Sequence, residues 1–200
     1  MRRKKRVYTR RQKALRRIAQ AIVCVLVVNY LCMEFFILPR QAVYKKTEKF
    51  GMYPVQVVTH FWTKDLNAEL AYFTAAKNAV GLTAVKYWPI YGWYADSATV
   101  VDCSGDEAFH ADWTVRGEQV KEVIFFGRLE DWSICRVELT AERDEKKVMM
   151  TVEDFIQEDG KRYFLGRMEW KSKVQMKAFR VTATAYDAAG NVVERQELPY

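Results

Sequence analysis

The chain has 200 residues, 14% of them aromatic, and only 9 Gly and 4 Pro, a composition that excludes a disordered protein. Lys and Arg outnumber Asp and Glu by 32 to 25, which gives a net charge of +7. Ten of these cations precede Ile18, and beyond Pro39 there are 22 Lys and Arg against 24 Asp and Glu. This distribution excludes a basic nucleic-acid-binding domain, so no nucleic-acid partner is expected.

The first predicted element is an apolar helix over residues 18–38. These 21 residues contain no Lys, Arg or Pro, and at about 1.5 Å per residue they span roughly 31 Å, the thickness of a hydrocarbon core. The exit, Ile37-Leu38-Pro39-Arg40, lacks the small residues of a signal-peptidase site. The sequence therefore predicts an uncleaved transmembrane helix.

The distribution of charge predicts the orientation of this helix. Residues 1–17 form a basic tail without an acidic residue, and such a block stays in the cytoplasm. The predicted localisation is the cell membrane, with one pass and with membrane lipid as a partner. A short polar stalk at 39–53 and a β-rich domain at 54–200 are then extracytoplasmic.

Two polar residues of the predicted span are candidates for contacts inside the membrane. Asn29 lies near its middle, where an amide hydrogen-bonds to a neighbouring helix. Glu34 lies nearer the outer boundary, where it either pairs with a basic residue of a partner or reaches the head groups. These residues suggest a homodimer through the helix, or an accessory subunit of a membrane complex, as alternatives.

The outer domain alternates apolar and polar residues with period two, which is typical of antiparallel strands with one buried face. One segment, "DLNAELAYFTAAKNAVG" at 65–81, instead has apolar residues at helical spacing, and predicts an accessory helix. Turn signals lie at Asp159-Gly160 and Gly190-Asn191. Strands are predicted at 55–61, 83–88, 98–103, 109–115, 123–129, 135–142, 147–153, 162–170 and 180–187.

The segment 122–193 carries a recognisable pattern. A strand ends in Gly127, Leu129 and Asp131, then come a strand "CRVELTAE", a strand with "YFL" and a closing hairpin "AYDAAGNVV". In these features the chain resembles uncharacterised membrane-anchored proteins of Gram-positive bacteria with an extracytoplasmic domain. The resemblance implies an immunoglobulin-like antiparallel β-sandwich and no particular activity.

Cys103 and Cys135 are the two cysteines of the outer domain. Both have apolar neighbours at alternate positions, so they predict either a disulfide between two strands or two buried thiols. A third interpretation is nucleophilic. "TVVDC" at 99–103 is similar to the strand end of sortase transpeptidases, which implies Cys103 as nucleophile with His60 and Arg116. Asp102 stands where sortases have Thr.

The acidic run "DCSGDEAFHAD" has oxygen ligands at alternate spacing, as a calcium site would, but it lacks the residue order of a dedicated loop. A solvated turn is the better interpretation, and neither a metal nor a cofactor is predicted. The aromatic run "KYWPIYGWYAD" is either a loop pinned by buried rings or a candidate binding patch for sugar rings or a protein. Its residues are Tyr87, Trp88, Tyr91, Trp93 and Tyr94.

Together these features predict a mainly β protein, with an N-terminal transmembrane helix followed by an immunoglobulin-like antiparallel β-sandwich and one accessory helix. The expected function is non-enzymatic binding of a protein or a cell-envelope component. The alternatives are a membrane-anchored sortase-like cysteine transpeptidase that uses Cys103, and an accessory subunit of a membrane complex.

Overall fold

The computed structural model describes residues 9–32, 34–64, 69–89, 91–117, 121–143, 146–170 and 179–199. For residues 29–32 and 146 it describes the backbone alone. The fold is mainly β. Its elements are α1 (Arg10–Cys32), α2 (Pro39–Glu48), β1 (Gln56–Trp62), β2 (Leu70–Ala76), β3 (Ala79–Trp88), β4 (Gly92–Asp102), β5 (Phe109–Arg116), β6 (Glu122–Leu129), β7 (Ile134–Arg143), β8 (Lys146–Val152), β9 (Phe155–Glu158), β10 (Lys161–Glu169), β11 (Arg180–Asp187) and β12 (Val192–Leu198).

The strands form three four-stranded antiparallel sheets. The first sheet has the order β1-β2-β3-β4, the middle sheet β5-β6-β10-β9, and the third sheet β12-β11-β7-β8. One apolar cluster, which includes Phe73, Phe126 and Tyr163, fills the space between the first and middle sheets. A larger cluster, which includes Phe125 and Leu139, joins the middle and third sheets. The middle sheet is therefore covered on both faces.

Burial on both faces explains the sequence of β6. Every residue of "EVIFFGRL" is buried, so the strand is an almost continuous apolar run rather than an alternating one. Arginines of the middle sheet then connect the layers. Arg128 donates to the carbonyls of Lys77 and Cys103 at 2.9 and 2.8 Å, and Arg162 donates to that of Ile134 at 2.9 Å.

The predicted accessory helix at 65–81 is wrong. Residues 65–68 lie outside the described residues, and the rest form the hairpin of β2 and β3. Residues 70–75 are all buried, with Phe73 facing the middle sheet and Tyr72 facing the opposite side. A strand buried on both faces loses its alternation and matches helical spacing by chance.

The structure has α2 where the sequence predicted a polar stalk at 39–53. The helix begins at Pro39, a residue suited to the first turn. Its apolar face, with Ala42 and Val43, packs on Tyr72 and Val85 of the first sheet. The stalk prediction overlooked these apolar positions because charged residues surround them.

The other strand predictions are confirmed within four residues at their ends, except that β4 begins at Gly92, six residues before the predicted 98–103, and β9 and β12 are additional. Asp159 and Gly160 both have positive φ, 49° and 71°, as expected for the predicted turn between β9 and β10. The predicted helix 18–38 is longer at its start and shorter at its end, since α1 runs from Arg10 to Cys32. Within the described residues, no helix combines the length and apolarity needed to cross a membrane.

Candidate functional site

The candidate binding patch lies at the hairpin between β3 and β4. The two strands pair as far as Trp88 and Gly92, and the turn is closed by a hydrogen bond from Tyr91 N to Trp88 O at 3.2 Å. Gly92 has a φ of 110°, and a Cβ there would lie 2.5 Å from the carbonyl oxygen of Phe36. A glycine is therefore required where the chain of Phe36 approaches the hairpin.

The aromatic rings of this region form two clusters around the hairpin, because the consecutive residues Tyr87 and Trp88 of β3 point to opposite faces of the sheet. In the first cluster, the ring centroid of Trp93 lies 5.3 Å from that of Tyr87 and 6.2 Å from that of Trp62. In the second cluster, the ring centroid of Phe35 lies 5.5 Å from that of Tyr91 and 5.2 Å from that of Tyr94. The centroids of Trp88 and Tyr91 are 6.4 Å apart. We call the two clusters together the aromatic surface, and its residues are Phe35, Trp62, Tyr87, Trp88, Tyr91, Trp93 and Tyr94.

About half of each of four rings is exposed. The exposed fractions are 54% for Trp62, 59% for Tyr87, 53% for Trp88 and 45% for Tyr91. The interpretation as a loop pinned by buried rings is therefore wrong for these residues. Exposed aromatic area gathered in this way around one hairpin marks interaction sites.

The aromatic surface adjoins the end of α1. Phe36 and Trp93 exchange two backbone hydrogen bonds of 2.7 Å, which add the segment after α1 to the edge of β4. Ile37 and Leu38 follow, with exposed fractions of 86% and 57%. Sequence reasoning missed Phe35 and Trp62 as members of this surface. The signal for Phe35 was its place in the apolar run "FFIL" directly before the domain.

An ion pair between the buried Glu122 and the more exposed Arg167 holds the backbone of Trp62 in place. Glu122 is 1% exposed and accepts hydrogen bonds from Arg167 Nε at 2.8 Å and from the backbone N–H of Lys64 at 3.3 Å. Arg167 also donates to the carbonyl of Trp62 at 2.8 Å, and its guanidinium lies 4.0 Å from the ring centre of Phe61. These contacts connect the end of β1 to the middle sheet.

Glu34 lies beyond the end of α1 with a φ of 55°. Its carboxylate pairs with the ammonium of Lys49, just after α2, and both side chains are about half exposed. Glu34 thus has a basic partner within its own chain. The side chain of Asn29 lies outside the described residues, so a homodimer or a complex through Asn29 stays a prediction.

Cys103 follows β4 and is buried in the cluster between the first and middle sheets. Burial, the main cause, raises the pKa of its thiol to about 11, although the nearby Arg128 opposes the shift. The thiol is therefore protonated at neutral pH, whereas nucleophilic catalysis requires a thiolate.

The structure does not bring His60 and Arg116 to Cys103. His60 is exposed and stacks on Tyr72, which belongs to the opposite face of the first sheet. Arg116 ends β5 and donates to the hydroxyl of Ser97. The geometry thus gives the sortase-like alternative no support.

Cys103 and Cys135 are both free in the part of the chain that the structure describes, so the predicted disulfide is not formed. Cys135 is exposed, which also excludes the interpretation as two buried thiols. Ile134 pairs with Asp187 and Arg136 with Tyr186, so Cys135 is the extra residue of a β-bulge. The bulge turns Ile134 into the core and Cys135 outwards, reversing the face that simple alternation predicts.

The acidic run at 102–112 forms local contacts. Asp102 accepts from the backbone N–H of Ser104 at 3.0 Å, and the buried His110 lies 3.7 Å from Glu107. Among the described residues, no three His, Cys, Asp or Glu side chains are grouped to hold a metal ion.

The aromatic surface can bind a ligand by ring stacking and by burial of apolar area. It offers rings with polar edges beside exposed aliphatic side chains, an arrangement suited to binding rather than to proton transfer. No protein-family model, no curated protein and no solved structure matches the chain.

Proposed function

We propose that this chain is a single-pass membrane protein whose extracytoplasmic β domain binds an envelope component or a protein without catalysing a reaction. The observation that carries the proposal is the aromatic surface. It presents four half-exposed rings beside the end of the only apolar helix among the described residues. Binding through such a surface needs neither a cofactor nor a metal.

The membrane anchor is supported by the surface of α1. Its apolar residues from Ile18 to Val28 are exposed around the whole helix, and the large ones have exposed fractions between 50% and 60%. A helix that is apolar on all sides needs an apolar environment. The basic residues that precede Ile18 support a cytoplasmic N-terminus.

The immunoglobulin-like part of the proposal is supported by strand order. With β5 to β12 lettered A, B, C, C′, D, E, F and G, the middle sheet is A-B-E-D and the third sheet is G-F-C-C′. This is the arrangement of immunoglobulin-like sandwiches. The first sheet and α2 form an additional layer on the outer face of the A-B-E-D sheet.

The absence of catalysis is supported by the surroundings of Cys103. Its thiol is buried and protonated at neutral pH, and His60 lies on the other face of the first sheet. Acyl transfer by a cysteine requires an accessible thiolate beside a proton carrier.

Photo-crosslinking in intact bacterial cells tests the proposal. A photo-activatable phenylalanine analogue at Tyr91, in the full chain, is expected to form an adduct with an envelope component. The same analogue at Tyr53 is the control, because Tyr53 is 81% exposed but lies beside Lys77, at the other end of β3. Equal yields at the two positions, or none at either, would contradict binding through the aromatic surface.

A further inference from the structure

We infer that the aromatic surface lies in the head-group region of the bilayer that holds α1, so that the envelope component it binds is phospholipid. This inference rests on the proposed function and names the partner of the same surface. The domain would then lie against the membrane with the β3–β4 hairpin dipping into the interface.

The aromatic surface lies close in sequence and space to the end of α1. Cys32, the last residue of α1, precedes Phe36 by four residues, which span at most about 14 Å when extended. The backbone hydrogen bonds between Phe36 and Trp93 fix the hairpin at this distance from the helix end. An anchored α1 therefore brings the aromatic rings to the boundary of the hydrocarbon.

The apolar part of α1 is shorter than a hydrocarbon core is thick. Residues 18–32 are 15 residues, about 22 Å of helix, less than the roughly 30 Å of a hydrocarbon core. The apolar run continues past the helix through Phe35, Ile37 and Leu38, the last two being largely exposed. A short apolar helix draws its flanking residues towards the bilayer, and these flanking residues adjoin the aromatic surface.

The side chains of the aromatic surface are of the types found at membrane interfaces. Trp and Tyr combine an apolar ring with a polar edge and are enriched at both membrane interfaces. Trp62 and Tyr87 present this combination on one side of the β3–β4 hairpin, and Trp88 and Tyr91 present it on the other. Cations lie nearby, since Arg40, Lys45 and Lys49 are exposed in or next to α2, where Lys45 pairs with Glu48 and Lys49 with Glu34 at the surface. Aromatic rings flanked by cations match an anionic phospholipid surface.

Depth-dependent quenching in vesicles tests the inference. The full chain is reconstituted in phosphatidylcholine and phosphatidylglycerol, with brominated acyl chains as the lipid quencher and iodide as the aqueous quencher. Trp88→Phe removes a tryptophan of the aromatic surface. Trp132→Phe is the matched control, because Trp132 is 60% exposed but lies far from the aromatic surface. Arg162 contacts Trp132 and the neighbouring Lys161 contacts Lys77, which precedes β3, and β3 separates Lys77 from Trp88 by about 30 Å.

Trp88→Phe is expected to remove a large share of the emission that brominated lipid quenches, and Trp132→Phe none of it. Iodide is expected to quench Trp132 more strongly than Trp88. If the chain floats with the vesicles but iodide quenches both tryptophans equally, the inference is refuted while the anchor stands, and the surface is open to a protein or a glycan. If the chain does not float with the vesicles, the anchor itself fails, and the inference with it.

Discussion

Glu122→Ala is expected to lower the free energy of unfolding by about 1–3 kcal/mol, because the hydrogen bonds that its buried carboxylate accepts are lost. The substitution leaves Arg167 without its carboxylate and the backbone N–H of Lys64 without its acceptor. It also loosens the end of β1, which Arg167 holds through the carbonyl of Trp62. Denaturant titration of the full chain in detergent micelles, followed by near-ultraviolet circular dichroism, measures the change.

Glu142→Ala is the matched control. Glu142 also lies in a strand and pairs with a cation, Lys147, at 3.2 Å, but both side chains are about half exposed. Exposed pairs contribute at most about 1 kcal/mol, so this variant is expected to unfold almost like the native chain. Equal losses in the two variants would mean that Glu122 does not connect the first and middle sheets.

Gly127→Ala is expected to cost about 3 kcal/mol or more, and to prevent folding in much of the population. Gly127 lies in β6, between Ala111 of β5 and Phe164 of β10. A Cβ at this position would overlap the carbonyl oxygen of His110 and the ring of Phe164. The clash involves backbone and a fully buried ring, so relief requires a shift of the central strand. The yield of folded chain and its unfolding midpoint report the effect.

Gly105→Ala provides the comparison for the same chemical change. A Cβ on Gly105 would meet only the carboxylate end of Glu107, whose side chain is half exposed and free to turn away. This variant is expected to fold with native yield. A stable, well-folded Gly127→Ala protein would show that β6 is less tightly enclosed than its burial indicates.

The strands that alternate were predictable from the sequence. β7 and β8 each bury one face and leave the other more exposed, so their apolar residues recur with period two. β11 also alternates apolar residues with threonine, although Thr182 and Thr184 are buried as well. The turn at Asp159-Gly160 was predictable because its positive φ values favour those residue types. Local chemistry decides these features, and distant contacts do not alter them.

The parts that failed depend on a third layer that no local pattern reveals. The apolar run of β2 is buried because the middle sheet covers one face and α2 the other. Tertiary contacts of this kind override local spacing, which is why 65–81 was predicted as a helix and 39–53 as a stalk. A two-layer sandwich was expected, and three sheets are stacked.

Most residues of the candidate site could be predicted from the sequence, but two of them could not. The run "KYWPIYGWYAD" identified five of its residues because so many rings are adjacent in sequence. Trp62 joins through strand pairing and Phe35 through the bridge to β4, and both depend on the fold. The outward position of Cys135 could not be predicted either, because a single β-bulge reverses the face to which a side chain points.

The most direct test of the account uses Cys135 as a natural reporter of topology. Its thiol is exposed on the third sheet, whereas Cys103 is buried and its raised pKa keeps it protonated. A membrane-impermeant maleimide applied to intact bacteria that express the full chain, with Cys135→Ser as control, is the measurement. Labelling before lysis that the Cys135→Ser substitution abolishes is the predicted result. Labelling of Cys135 only after lysis would contradict an extracytoplasmic domain on a single-pass anchor.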